Sequence, residues 1–185
     1  GQSYGGNLAL EIAHRFASSV RGVAAVDGGV LDLAGRWADW EACKRALSPP
    51  RFDLAISELR EMVSARMREW PHGSVEAVMA CFEETGDGRA VARLAFDRHL
   101  AILRSMWEQR PAELLKDLSV PVLLLPCDTG DHDWTHHKRL AITSAGRDDE
   151  RVRVRWFEAD HDVHLQRPDE VAGVLLEAEV EGFFQ

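Results

Sequence analysis

Cysteine, lysine, asparagine and tyrosine are scarce in this sequence, and it has no long apolar run. The three cysteines, Cys43, Cys81 and Cys127, are widely scattered and form no C-x-x-C pair. Neither a disulfide framework nor a zinc site is indicated. No stretch approaches the roughly 18 apolar residues that span a bilayer. Positive charge is also short: 22 Lys and Arg stand against 31 Asp and Glu, a formal net charge of −9. Nucleic acid and anionic membranes are therefore poor partners. The basic residues are 19 Arg and three Lys, a bias associated with GC-rich bacterial genes. No signal-peptide pattern opens the chain, which together with the cysteine usage points to a reducing cytoplasm.

What is present is ordinary for a globular protein: 185 residues, 45% hydrophobic and 29% charged, enough for one domain with a sizeable core. Leu8, Ile12 and Phe16 recur at helical spacing over residues 7–18, with Ala9 and Ala13 beside them. "RGVAAVDGG" is a short apolar run halted by two glycines, which predicts a buried parallel strand near 22–27. From about Gly35 to Leu118 the patterns are helical only, broken at Pro49-Pro50, Pro71-His72-Gly73 and Gly86-Asp87-Gly88. "SVPVLLLPCD" predicts the strongest strand, near 120–126. A helix from Trp134 to about Ala145, an alternating strand over 151–157 and a helix from Pro168 or Asp169 to about Glu181 complete the chain. Outside the middle third, the order is that of β–α units feeding a parallel sheet, an α/β fold.

The first five residues, Gly1-Gln2-Ser3-Tyr4-Gly5, read G-x-S-x-G, the pattern of a serine on a sharp turn ahead of a helix. Such a turn holds the Ser3 hydroxyl clear of the backbone, with Gly1 and Gly5 removing side chains that would crowd it. The helix N-terminus offers N–H groups, Tyr4 N–H first, to a developing oxyanion. A serine nucleophile also needs a base, and "EADHDVHLQRPDEV" provides His161 in a loop beyond the last strand, with His164 as its rival.

G-x-S-x-G-G followed by a distant H-x-x-x-x-x-x-P leading into a final helix resembles the α/β-hydrolase superfamily. The likeness is to a serine-nucleophile member with a helical cap, and it covers the portion from the nucleophile elbow onward. It implies residues 1–34 as elbow, helix and strand of the hydrolase core, 35–118 as an all-helical cap insertion, and 119–185 as the C-terminal core with the acid and His loops. It implies a Ser-His-Asp triad with Ser3 as nucleophile and His161 as base. The family usually places the acid after the penultimate strand, here "PCDTGDHDW". Spacing from Pro121 favours Asp131, one residue later than usual, with Asp128 nearer the strand end. Asp27 ends the earlier strand, a site some relatives use for the acid though it is more often structural.

The implied activity is hydrolysis of an ester or related acyl bond in a small molecule. Relatives with this pattern also cleave carbon–carbon, amide or lactone bonds, while haloalkane dehalogenases use Asp where this chain has Ser3. No cofactor is expected. His132, His136 and His137 cluster with Asp131 and Asp133, but on a surface helix such residues are unremarkable, and no metal is expected. The cap's aromatic and Met residues (Trp37, Trp40, Met62, Met67, Trp70, Phe96, Met106, Trp107) divide between cap core and pocket wall, favouring a hydrophobic substrate. Arg98 and His99 are the polar candidates to face it. In the family about half the fold precedes the elbow, including the second oxyanion donor. The alternative expectation is therefore a catalytically incomplete piece of a longer protein. Its strand near 22–27 would lack a neighbour, leaving an open edge for self-association or for an N-terminal companion segment.

Overall fold

The computed structural model describes residues 1–51, 53–144 and 150–185. In chain order the core begins with α1 (Tyr4–Arg15) and β1 (Val23–Val26). An insertion follows: α2 (Leu33–Arg36), α3 (Trp40–Leu47), α4 (Ile56–Arg66), α5 (Ser74–Met79), β2 (Phe82–Glu84), β3 (Ala90–Ala92), α6 (Phe96–Glu108) and α7 (Pro111–Asp117). The core then resumes with β4 (Val122–Leu125), β5 (Cys127–Asp128), α8 (His132–Ser144), β6 (Val152–Val154), β7 (Phe157–Glu158), α9 (Val163–Gln166) and α10 (Pro168–Val180). Ala145, expected at the end of α8, lies outside the described residues.

β4 is the centre. Its four residues are all buried, and alternate side chains serve opposite faces of the sheet. Val122 and Leu124 pack with Leu10 and Ala13 of α1, Leu115 of α7 and Ile142 of α8. Leu123 and Leu125 pack with Val163 of α9 and with Val171 and Ala178 of α10. A parallel sheet covered on both faces needs such continuous apolar strands. The strand order is β1-β4-β6, all parallel, with Val23 opposite Val122 and Val122 opposite Val152.

Two strands stop early. Pro126 has no N–H to donate, so β4 yields to β5, which pairs in parallel with β7. The Pro126 carbonyl still accepts from Phe157 N at 3.0 Å. The single strand expected over 151–157 is accordingly two, β6 and β7.

The expected open edge of β1 is largely closed. Gln2 bridges Val26 in parallel. The Gly1 amine donates to Ala24 O at 2.8 Å, Val26 N to Gly1 O at 2.8 Å and Ser3 N to Val26 O at 2.9 Å. Residues 1–3 thus run as a short strand end beside β1 and deliver the chain into α1.

The insertion is not all helical. β2 and β3 form an antiparallel hairpin, Phe82 opposite Ala92 and Glu84 opposite Ala90, across a turn in which Gly88 takes φ +80°. The hairpin, α4 and α5 share a small core of Leu59, Met79 and Ala90. A second core of Leu33, Cys43 and Leu103 gathers Trp37, Trp40, Met106, Trp107 and Trp134. Because Trp134 belongs to α8, this second core fastens the insertion to the sheet.

Candidate active site

Ser3 sits between the strand end at residues 1–2 and the first turn of α1, at φ 51° and ψ −124°. This is a backbone region that a residue with a Cβ occupies only at a cost. The turn is over-determined by its neighbours: Gly5 N donates to Gln2 O at 2.7 Å and Gly6 N to Ser3 O at 2.9 Å. A Cβ on Gly1 would stand 2.2 Å from Gly5 O, so only glycine fits there. Gly5 faces open space, so the expectation that it relieves crowding does not hold. Gly28 performs the service that no motif pointed to: a Cβ there would lie 2.0 Å from Ser3 O. As the first residue of α1, Tyr4 has no acceptor within the helix for its N–H, which leaves that donor beside the Ser3 hydroxyl.

His161, in the loop between β7 and α9, reaches this turn. Its Nε2 lies 2.9 Å from Ser3 Oγ and its Nδ1 2.6 Å from Asp27 Oδ2. An ionised carboxylate only accepts, so Nδ1–H donates to Asp27 and Nε2 is left to accept from the serine hydroxyl. His164 does not take this position; it lies on α9, where its Nδ1 is buried without a hydrogen-bond partner among the described residues.

The acid in contact is therefore Asp27, not the favoured Asp131 or Asp128. Asp131 Oδ1 accepts from Asp133 N at 3.0 Å and Trp134 N at 3.1 Å, capping the start of α8. Asp128 Oδ1 accepts from Gly130 N at 3.1 Å and Thr135 Oγ1 at 2.9 Å. Both side chains are engaged in closing the β5–α8 turn. Asp27 stands at the C-terminal end of β1, itself at φ 41°, and its side chain is 2% exposed. Burial works to raise its pKa. Hydrogen bonds from His161, Lys138 and the Cys127 amide, with the Lys138 charge, outweigh this and hold the carboxyl below its ordinary range. Cys127, buried beside Asp27, has its thiol pushed up to about 12 and is inert at neutral pH.

The remaining candidates lie further out. α6 passes the elbow at Ser105, whose Oγ lies 3.4 Å from Tyr4 Oη. Arg98 and His99 are nearer the start of that helix, Arg98 exposed and His99 half-buried, with no contact to Ser3 or His161. Arg36 stacks on Trp134 and Trp37 and pairs with Asp133 and His137, which ties the cluster around the start of α8 to the insertion. Asn7, missed in the sequence, is 2% exposed and accepts from Gly29 N at 3.0 Å, steadying the turn that carries Asp27 and Gly28.

The parallel sheet with its flanking helices agrees with what comparison with known families finds. The model of the alpha/beta hydrolase family matches residues 1–174. The chain belongs to the alpha/beta hydrolase family. No curated protein sequence matches it. Solved structures of the same fold include E-2-(acetamidomethylene)succinate hydrolase, at 18% identity and a TM-score of 0.62, covering 96% of this chain and 64% of that one. A thioesterase domain from the curacin biosynthetic pathway is similar at 15% identity and a TM-score of 0.59, covering 95% and 64%. MenH from S. aureus is similar at 16% identity and a TM-score of 0.58, covering 98% and 66%. The chain thus spans about 64% of the length of the hydrolase and thioesterase structures. No helix among the described residues is long and apolar enough to cross a membrane.

Proposed function

We propose that this family member is a serine hydrolase acting on an ester or related acyl bond of a small molecule. The observation that carries the reading is the unbroken series Ser3 Oγ, His161 Nε2, His161 Nδ1, Asp27 Oδ2, with steps of 2.9 and 2.6 Å. In it His161 takes the proton from Ser3 as the hydroxyl attacks the acyl carbon, then returns it to the leaving group. Asp27 holds the tautomer and balances the imidazolium. Tyr4 N–H, at the positive end of α1, supplies one hydrogen bond to the oxyanion. The insertion acts as a cap over an apolar acyl or aromatic substrate, with Arg98 and His99 as polar contacts. The names of the solved neighbours, among them a thioesterase and an enol-lactonase, support acyl chemistry as the class.

A fluorophosphonate probe tests the reading directly. Wild type is expected to be labelled at one site, and Ser3→Ala and His161→Gln to lose the label. Labelling that survives Ser3→Ala would sink the assignment.

A further inference from the structure

Lys138 is, among the described residues, the only buried cationic side chain, at 5% exposure. It projects from α8 on the same stripe as Thr135 and Ile142, the helix's other buried positions. Its Nζ donates to Asp27 Oδ1 at 2.7 Å and to Cys127 O at 2.7 Å. Asp27 Oδ1 also accepts from Cys127 N at 2.8 Å, while Oδ2 is left to His161 Nδ1. A lysine in the interior is costly unless its charge is paired and its protons are placed. Here two of its three donors are placed, both at the end of the strands that carry the acid.

We propose that Lys138 is a positioning residue for the Asp27–His161 pair: it saturates one carboxylate oxygen and leaves the other to the imidazole. This rests on the reading of Ser3, His161 and Asp27 as a triad. With Oδ1 held by a charged donor and an amide, the carboxylate cannot turn without breaking both bonds, so the imidazole keeps the orientation in which Nε2 faces Ser3. The positive charge also offsets the burial that opposes ionisation of Asp27.

The charged groups around His161 come from several elements. Asp27 ends β1, and Asp160 and Asp162 flank His161 in its own loop. Arg66 of α4 approaches Asp160 at 3.5 Å. Arg167, ahead of α10, donates to Glu158 O at 2.7 Å. Of the Lys and Arg side chains among the described residues, Lys138 alone bonds Asp27. Removing it takes a donor and a charge from a buried carboxylate, so Asp27 ionises less readily and the inactive, protonated site persists to higher pH.

The test follows the rate of fluorophosphonate labelling of Ser3 against pH in wild type, Lys138→Met and Lys138→Arg. In Lys138→Met the acid limb is expected to lie about one pH unit higher, and Lys138→Arg, which keeps the charge, returns it toward wild type. A Met variant whose rate falls equally at every pH, with its acid limb in place, would overturn the proposal. Should that variant not fold, the Asp27 carboxyl carbon resonance, assigned by its loss in Asp27→Asn and compared between wild type and Lys138→Gln, decides. Its titration is expected to move to higher pH in Lys138→Gln than in wild type, and unchanged titration overturns the proposal. If Ser3 is not labelled in wild type, the hydrolase reading fails, whereas the carboxyl titration still decides the part played by Lys138.

Discussion

Three aspartates compete for one imidazole, and two of them, Asp128 and Asp131, have carboxylates engaged in closing the β5–α8 turn. Asp27→Asn is expected to lower the labelling rate or turnover by about 10⁴-fold, the cost of the wrong His tautomer. Asp131→Ala is expected to leave the rate near wild type and to cost about 1 kcal/mol of stability as a lost helix cap, read from urea unfolding. This contrast also marks how far the site was legible. Ser3 and His161 carry local signatures: a glycine-flanked turn before an amphipathic helix, and a histidine loop before a proline-led helix. The acid carries none. Asp128, Asp131 and Asp27 all follow strands, and what separates them is which strand end stands beside His161, a property of sheet order and turn closure. Lys138 left a faint trace, a lysine in step with Thr135 and Ile142, which is legible only once the buried side of α8 is known.

At the scale of elements, two turns meet back to back. The elbow and the β1 exit meet where a Cβ on Gly28 would lie 2.0 Å from Ser3 O, so that turn pair has no room for a methyl group. Gly28→Ala is expected to destabilise the protein by roughly 1–3 kcal/mol through overpacking and to slow Ser3 labelling more than general unfolding explains. Near-wild-type values of both would show that the turns can part. The elements of the sheet were readable because burial on both faces writes continuous apolar runs such as "VLLL". The hairpin of β2 and β3 was not. Its three-residue strands contain Glu and Ala, residues that favour helices in isolation, and cross-strand pairing with the Leu59 and Met79 core overrode that preference.

For the molecule as a whole, the buried Asp27 makes stability depend on acid in a definite sense. Its carboxyl is held below 3.8. A folded-state value below the unfolded one means that its contribution is complete above 3.8 and is lost as the pH falls through the folded value. Wild type is expected to lose stability more steeply in that acid range than Asp27→Asn, a difference visible in urea midpoints against pH. The placement of residues 1–3 beside β1 has another consequence, in time rather than in space. Ser3 and the end of β1 bracket one helix, and residues 1–3 meet β1 through contacts near in sequence. His161 lies 134 residues beyond Asp27 and joins them only after the insertion has been spanned and the last strands have docked. Long-range closure is slow compared with local closure. During refolding, the elbow and β1 are therefore expected to pair before the base arrives, and the return of probe labelling would time the arrival of the final strand.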